Sequence, residues 1–254
     1  MRVLLLGNNR VAVSVARTIR DNGDCIVGLV LHPESERRFG AELTEAAGPT
    51  QIIEAGDLRS PEGQARIRAL GAEMGVSAYF GYLLRPDFLQ TMPRGCINLH
   101  SSLLPFNRGA HPNVWTILDR TPAGATLHMV DAGVDTGGII AQREVEIEPI
   151  DTGETLYRRL EEACMRLFAE TWPVVRDQPI HIVPQEASLA TAHKKADLAR
   201  IQEVHLDQAY SGRDLINLLR AQTFPPHRGA YFVEKGRKVY MRLALEYDDC
   251  KAES

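Results

Sequence analysis

The chain opens on four consecutive apolar residues, Val3 to Leu6, halted by Gly7-Asn8-Asn9. A run with no polar side suits a strand covered on both faces, as in a parallel sheet. Val11, Val15 and Ile19 follow at helical spacing, and Asn22-Gly23 ends that helix. Cys25 to Leu31 is a second buried run, closed by His32-Pro33. Strand, helix and strand in this order make a Rossmann-type unit, and it constrains the rest of the chain more than any other stretch.

The opening does not imply a dinucleotide. Only Gly7 stands where a G-x-G-x-x-G turn needs three glycines, so it reads as a tight turn into a helix. The alternation continues beyond it. Ile52-Ile53 suggests a third strand, and Ser60-Pro61 starts a helix through Ile67 and Leu70, with Pro61 at its first turn. Val76 to Tyr82 reads as a fourth strand, Leu83-Leu84-Arg85-Pro86 leaves it, and Phe88-Leu89 pack as a helical turn. Cys96 to Leu99 is the fifth strand. The expected fold is α/β: a Rossmann-like, twisted, mostly parallel sheet with helices on both faces. Ligands of such sheets bind outside the carboxyl ends of the strands, where Leu83-Leu84, His100 and the Asp135 loop would lie.

Asn98 and His100 are two apart, and residues i and i+2 of a strand point to the same side. Asp131 and Asp135 follow in a loop with Gly133, Gly137 and Gly138, residues that let the backbone turn sharply and approach a ligand. An Asn, a His and an Asp converging in a cleft can run acyl transfer. The amide N–H receives a developing oxyanion, the imidazole handles a proton, and the carboxylate orients or polarises the pair. An Asn-x-His after an apolar run is also simply a strand end, and spacing alone leaves both readings open.

Ala123 to Val130 and Ile139 to Ile147 read as strands flanking the Asp135 loop. Asp151-Thr152-Gly153-Glu154 resembles a capping box in which Glu154 reaches back. Leu156, Leu160, Cys164, Leu167 and Phe168 then repeat at helical spacing up to Trp172, an apolar face with no chemistry. Pro173 to Gln185 crosses the domain. Ser211 to Gln222 reads as a helix, and Ala230 to Phe232 with Lys238 to Leu245 as a hairpin turned at Lys235-Gly236. The expected division is a catalytic domain over 1–185 and a short α+β hairpin extension over 186–254, its last six or so residues frayed.

With 254 residues, 44% hydrophobic and 24% charged, the chain has material for a buried core. A net charge of −4 gives no reason to expect nucleic acid or an anionic membrane as partner. No stretch approaches ~20 apolar residues, so no transmembrane helix is expected. The first residues make too short an apolar run for a signal peptide. Cys25, Cys96, Cys164 and Cys250 are not at metal-ligand spacing, which suits reduced thiols in a cytoplasmic protein with no metal.

One long composite pattern resembles the signature of the folate-dependent formyltransferases. It comprises Asn98-Leu99-His100-Ser101-Ser102-Leu103-Leu104-Pro105, Arg108-Gly109, Pro112, Trp115, Gly124, Thr126-Leu127-His128 and Asp135-Thr136-Gly137. Pro105 to Gly109, Pro112 to Trp115 and the tail from Asp197 to Tyr240 look most like the branch that N-formylates nucleotide-linked sugars. The resemblance implies N10-formyltetrahydrofolate as formyl donor and a nucleotide-linked amino-deoxysugar as acceptor, as in O-antigen or other glycan biosynthesis. It implies Asn98, His100 and Asp135 as the catalytic set. It places the pterin against the backbone of Leu83 and Leu84, with the loop carrying Asp131 and Val134 on the other side. Asn107, Arg108, Asn113 and Trp115 are the candidates for the sugar nucleotide. Arg108 is as readily a structural pair and Trp115 more readily core packing. His128 reads as structural, and His111 has no assigned role. Related sugar enzymes are often homodimers. Other acceptors remain open: a UDP-aminopentose, glycinamide ribonucleotide, or methionyl-tRNA, whose enzymes usually carry a further domain. Hydrolysis of the formyl-folate and a non-catalytic binding module are more distant alternatives.

Overall fold

The computed structural model describes residues 1–248; the expectation for the last six residues falls outside them. In chain order the elements are β1 (Arg2–Gly7), α1 (Arg10–Asp21), β2 (Cys25–Leu31), α2 (Gly40–Ala47), β3 (Gln51–Glu54), α3 (Pro61–Ala69), β4 (Met74–Ala78), α4 (Pro86–Leu89) and β5 (Cys96–His100). Then follow β6 (Arg108–Gly109), α5 (Pro112–Asp119), β7 (Ala123–Met129), β8 (Ile139–Val145), α6 (Gly153–Asp177), β9 (Ala192–His193), α7 (Asp197–Arg200), α8 (Gly212–Ala221), β10 (Tyr231–Glu234) and β11 (Arg237–Tyr240).

The main sheet has seven strands in the order β3-β2-β1-β4-β5-β7-β8. The pairs from β3 to β5 are parallel; β5–β7 and β7–β8 are antiparallel. The mostly parallel α/β sheet expected from the sequence is present. α1 starts where Asn9 takes the amide hydrogens of Val11 (3.0 Å) and Ala12 (3.2 Å) on its side-chain oxygen. Gly7 is required at that turn, because a Cβ there would stand 2.4 Å from the Ala12 Cβ. The close approach of strand and helix at this turn is what requires a glycine.

Two cores lie on opposite faces of the sheet. One gathers Val3, Leu5, Ile97, Leu99, Ala125 and Leu127 with α1 and the apolar face of α6 through Phe168 and Trp172. The other gathers Leu4, Leu6, Phe80, Leu84, Phe88 and Cys96. A third cluster joins α5, α6 and α8 through Val114, Ile117, Leu156, Leu160 and Ala221.

Several expectations need correction. The fourth strand ends at Ala78, not Tyr82, because Tyr79 turns into the left-handed region at φ 56°. Glu154 does not close the α6 cap: Thr152 and Thr155 exchange the two capping bonds, and Glu154 pairs with Arg158 instead. α2 and α5 were not foreseen. The terminal hairpin turns at Lys235-Gly236 as expected, both at positive φ, but β11 stops at Tyr240.

Candidate active site

Alternation along β5 sends Ile97 and Leu99 into the α1–α6 core and leaves Asn98 and His100 on the other face. The antiparallel register places His128 of β7 directly opposite Asn98. Asp135 enters from the β7–β8 loop and meets all three. Its Oδ1 accepts from Asn98 Nδ2 at 3.3 Å and lies 3.4 Å from His128 Nε2. Its Oδ2 accepts from the Gly109 backbone N–H at 2.9 Å and lies 3.7 Å from His100 Nδ1. An amide and an imidazole thus meet one carboxylate, with a second imidazole beside it.

The ring nitrogens can be assigned from their partners. His100 Nε2 lies 3.2 Å from the Asn107 carbonyl, which can only accept, so Nε2 carries hydrogen. Nδ1 is then the nitrogen that takes a proton, and it faces Asp135. His128 Nδ1 likewise donates to the Met129 carbonyl at 2.7 Å, so in the neutral ring Nε2 accepts from Asn98 Nδ2 at 3.1 Å. Asn98 therefore shares its two amide hydrogens between His128 and Asp135.

Burial by itself would raise the Asp135 carboxyl. The charge of His100, the hydrogen bond and charge of His128, and the Gly109 N–H outweigh it and hold the group well below its ordinary value of 3.8. Asp135 is an anion with 15% of its side chain exposed, at φ 52°. A left-handed backbone at a non-glycine residue is unfavourable and persists only where the surroundings fix it. Gly137 contributes: a Cβ there would stand 1.9 Å from the Met129 carbonyl oxygen. Behind β5, Cys164 Sγ reaches the His100 carbonyl and the Tyr79 hydroxyl, each at 3.8 Å. Burial pushes the Cys96 and Cys164 thiols up to about 12, which removes both as nucleophiles.

The remaining predicted residues divide. Leu84 is buried beside Phe80 and Phe88, whereas Leu83 is 57% exposed. Among the described residues, no backbone group of Leu83 or Leu84 makes a hydrogen bond, so a planar heterocycle could use them. Val134 is 54% exposed on the loop beyond β7. Asp131 is engaged within its own loop, accepting from Gly133 N and Thr136 Oγ1.

The four substrate candidates are largely committed elsewhere. Asn107 is buried, and its amide is taken by the hydroxyls of Thr116, Thr121 and Thr191; what it offers the site is its backbone carbonyl. Asn113 is buried and bonds the Gly153 carbonyl. Arg108 forks onto the Gln185 side-chain oxygen. Trp115 is buried and stacks on His193 with ring centroids 4.0 Å apart. His193 Nε2 in turn lies 3.0 Å from Asp119, out of line for a hydrogen bond. Among the described residues no group of His, Cys, Asp and Glu is arranged to hold a metal ion.

His128, read as structural from the sequence, is the further residue that the β5–β7 register brings into contact with Asn98 and Asp135.

Two family models match the chain: a formyl transferase model over residues 1–171 and an N-formyltransferase dimerization C-terminal domain over residues 197–247. A methionyl-tRNA formyltransferase of Synechococcus sp. is 35% identical over 207 residues, 77% of this chain but only 63% of that protein. A sugar N-formyltransferase from Shewanella sp. superposes with a TM-score of 0.83 at 25% identity, over 98% of this chain and 99% of its own. A formyltransferase from Anoxybacillus kamchatkensis, solved with UDP-4,6-dideoxy-4-formamido-L-AltNAc and tetrahydrofolate, superposes with a TM-score of 0.60 at 29% identity, over 79% and 89% of the two chains. With two thirds of its length matched by the first model and the Asn98–His100–Asp135 contact inside that stretch, the chain belongs to the formyl transferase family.

Proposed function

We propose that the protein transfers a formyl group from N10-formyltetrahydrofolate to the primary amine of a nucleotide-linked amino-deoxysugar. The observation that carries the reading is the contact of Asn98 and His100 with a single carboxylate, Asp135. The full-length likeness to a sugar N-formyltransferase favours the sugar nucleotide as acceptor. A folate would lie between the exposed Leu83 and Val134, its pyrimidine edge on the unpaired Leu83–Leu84 backbone.

The donor supplies an already electrophilic formyl carbon. The acceptor amine bonds to that carbon, and the carbonyl oxygen becomes an oxyanion. Asn98 places an amide N–H for it, and one such donor is typically worth ~10²–10³ in turnover. His100 Nδ1 takes the proton the amine gives up, and Asp135 at 3.7 Å stabilises the resulting imidazolium. As charge develops on the oxygen, Asn98 turns toward it one of the two amide hydrogens that it shares between His128 and Asp135. The oxyanion then collapses to a carbonyl, the carbon–N10 bond breaks, His100 returns its proton to N10, and the N-formylated sugar nucleotide and tetrahydrofolate leave.

The model over 197–247 supports a homodimer built on the C-terminal extension. The test of the reading is an assay with formyl-folate and a panel of amines: dTDP-, UDP- and GDP-linked 3- and 4-amino sugars, glycinamide ribonucleotide and methionyl-tRNA. Turnover is expected with a sugar nucleotide. Turnover confined to glycinamide ribonucleotide or methionyl-tRNA would overturn the acceptor class.

A further inference from the structure

The catalytic carboxylate is held by a residue that neither family model covers, since Gln185 lies between the segments 1–171 and 197–247. All four bonding positions of its amide are used. Nε2 donates to the carbonyls of Asp135 (2.8 Å) and Gly137 (2.7 Å). Oε1 accepts from Arg108 Nε (3.1 Å) and Nη2 (2.7 Å). One side chain therefore grips Asp135 along two routes. It bonds the backbone carbonyl of the left-handed residue itself, and through Arg108 it holds the neighbour of Gly109, whose N–H binds Asp135 Oδ2.

The segment carrying Gln185 is anchored on both sides. Val183 and Ile139 exchange two backbone bonds of 2.8 Å, and the Thr191 and His193 carbonyls accept from Arg108 N and Ala110 N, each at 2.9 Å. We propose that Gln185 is a positioning residue for formyl transfer, acting through Asp135. An amide is required there: a glutamate would keep the Arg108 fork but could not donate to two carbonyls.

The inference rests on the formyl-transfer reading, and its test separates the two. Gln185→Glu and Gln185→Met are made in the parent and in Asp135→Asn, and kcat, KM and deuterium uptake are measured. Misplacement of a reacting group by about an ångström can cost ~10²-fold, so Gln185→Glu should lower kcat by roughly 10- to 100-fold. KM for the folate donor should stay within about threefold, as for an interaction made in the transition state. In the Asp135→Asn background the same change should cost less than about twofold, because coupled residues are not additive. Uptake should rise in residues 106–111 and 131–138 and nowhere else. Parental kcat in Gln185→Glu, an equal loss in both backgrounds, or unchanged uptake would each overturn the proposal. If Gln185→Met fails to fold, Gln185→Glu decides, since it retains the Arg108 pair. A parent that transfers no formyl group would instead remove the functional reading, and the uptake arm alone would then decide the clamp.

Discussion

Replacing Asp135 by Asn tests the core of the mechanism with the smallest change in shape. The carboxylate faces His100 Nδ1 at 3.7 Å and His128 Nε2 at 3.4 Å, and most of it is buried. At an effective dielectric constant of about 20, one imidazolium at the longer distance gains about 4.5 kcal/mol from that charge. Solvent and the remaining dipoles recover part of this. A net loss of about 2–3 kcal/mol is expected, or roughly 30- to 200-fold in kcat. The pH dependence has a definite sign. The folded carboxyl is held below its ordinary value of 3.8, so its stabilisation is present above that value and lost as pH falls through the folded value. The Asn variant lacks this contribution. The parent should therefore be the more stable protein at neutral pH, and the gap in melting temperature should close in acid, below about pH 4. Single-turnover formyl transfer and thermal melts from neutral to strongly acidic pH check both arms. A variant with kcat within threefold of the parent, or a stability gap that does not change with pH, would refute the reasoning.

Asn98→Ala should lower turnover by ~10²–10³ through loss of the oxyanion donor, and His100→Ala by ~10²–10⁴ through loss of the proton acceptor, with circular dichroism unchanged in both. His128→Phe should keep the packing and cost on the order of tenfold, the effect of one buried hydrogen bond of about 1–1.5 kcal/mol. Parental kcat would return His128 to a structural role. Gly137→Ala forces a Cβ to within 1.9 Å of the Met129 carbonyl oxygen, so the Asp135 loop must shift. Lost turnover and a lowered melting temperature are expected, and an unperturbed loop would show that the backbone gives way at no cost. A tetrahydrofolate analogue at a hundred times its Kd should raise the melting temperature by about 5–10 °C, and no shift at saturating concentration would count against the pterin site.

The parts of the site that follow from local periodicity were legible in the sequence. Asn98 and His100 share a face because any strand alternates, and the glycines around Asp135 announce a tight loop. What local pattern cannot supply is pairing. His128 reaches the cluster only because β7 runs antiparallel to β5 in the register that sets it against Asn98. Gln185 lies in an irregular stretch, where no period marks a residue as inward-facing. Asn107 and Asn113 read as candidates for the sugar nucleotide, yet both are buried, because threonine hydroxyls and the Gly153 carbonyl satisfy their amides. α5 went unseen for a related reason: the residue at its N-cap is His111, left-handed and with no side-chain capping bond, where an N-cap signal would normally stand.

The change of strand direction explains why a site can form on a sheet face at all. Through β4, parallel crossovers lay helices over both faces, and only strand ends stay open to ligands. From β5 onward the neighbours are antiparallel. The β7–β8 connection is then a loop rather than a helix, and it folds back so that Asp135 reaches side chains in the body of β5 and β7. The opposite face of the same strands keeps its helical cover, since Ile97, Leu99, Ala125 and Leu127 remain in the α1–α6 core. A face packed under helices therefore supports a polar one that is covered by a loop instead of a helix. That division holds Asn98 at the centre of β5 and His128 near the end of β7 against the packed core, while the loop side brings Asp135 to them.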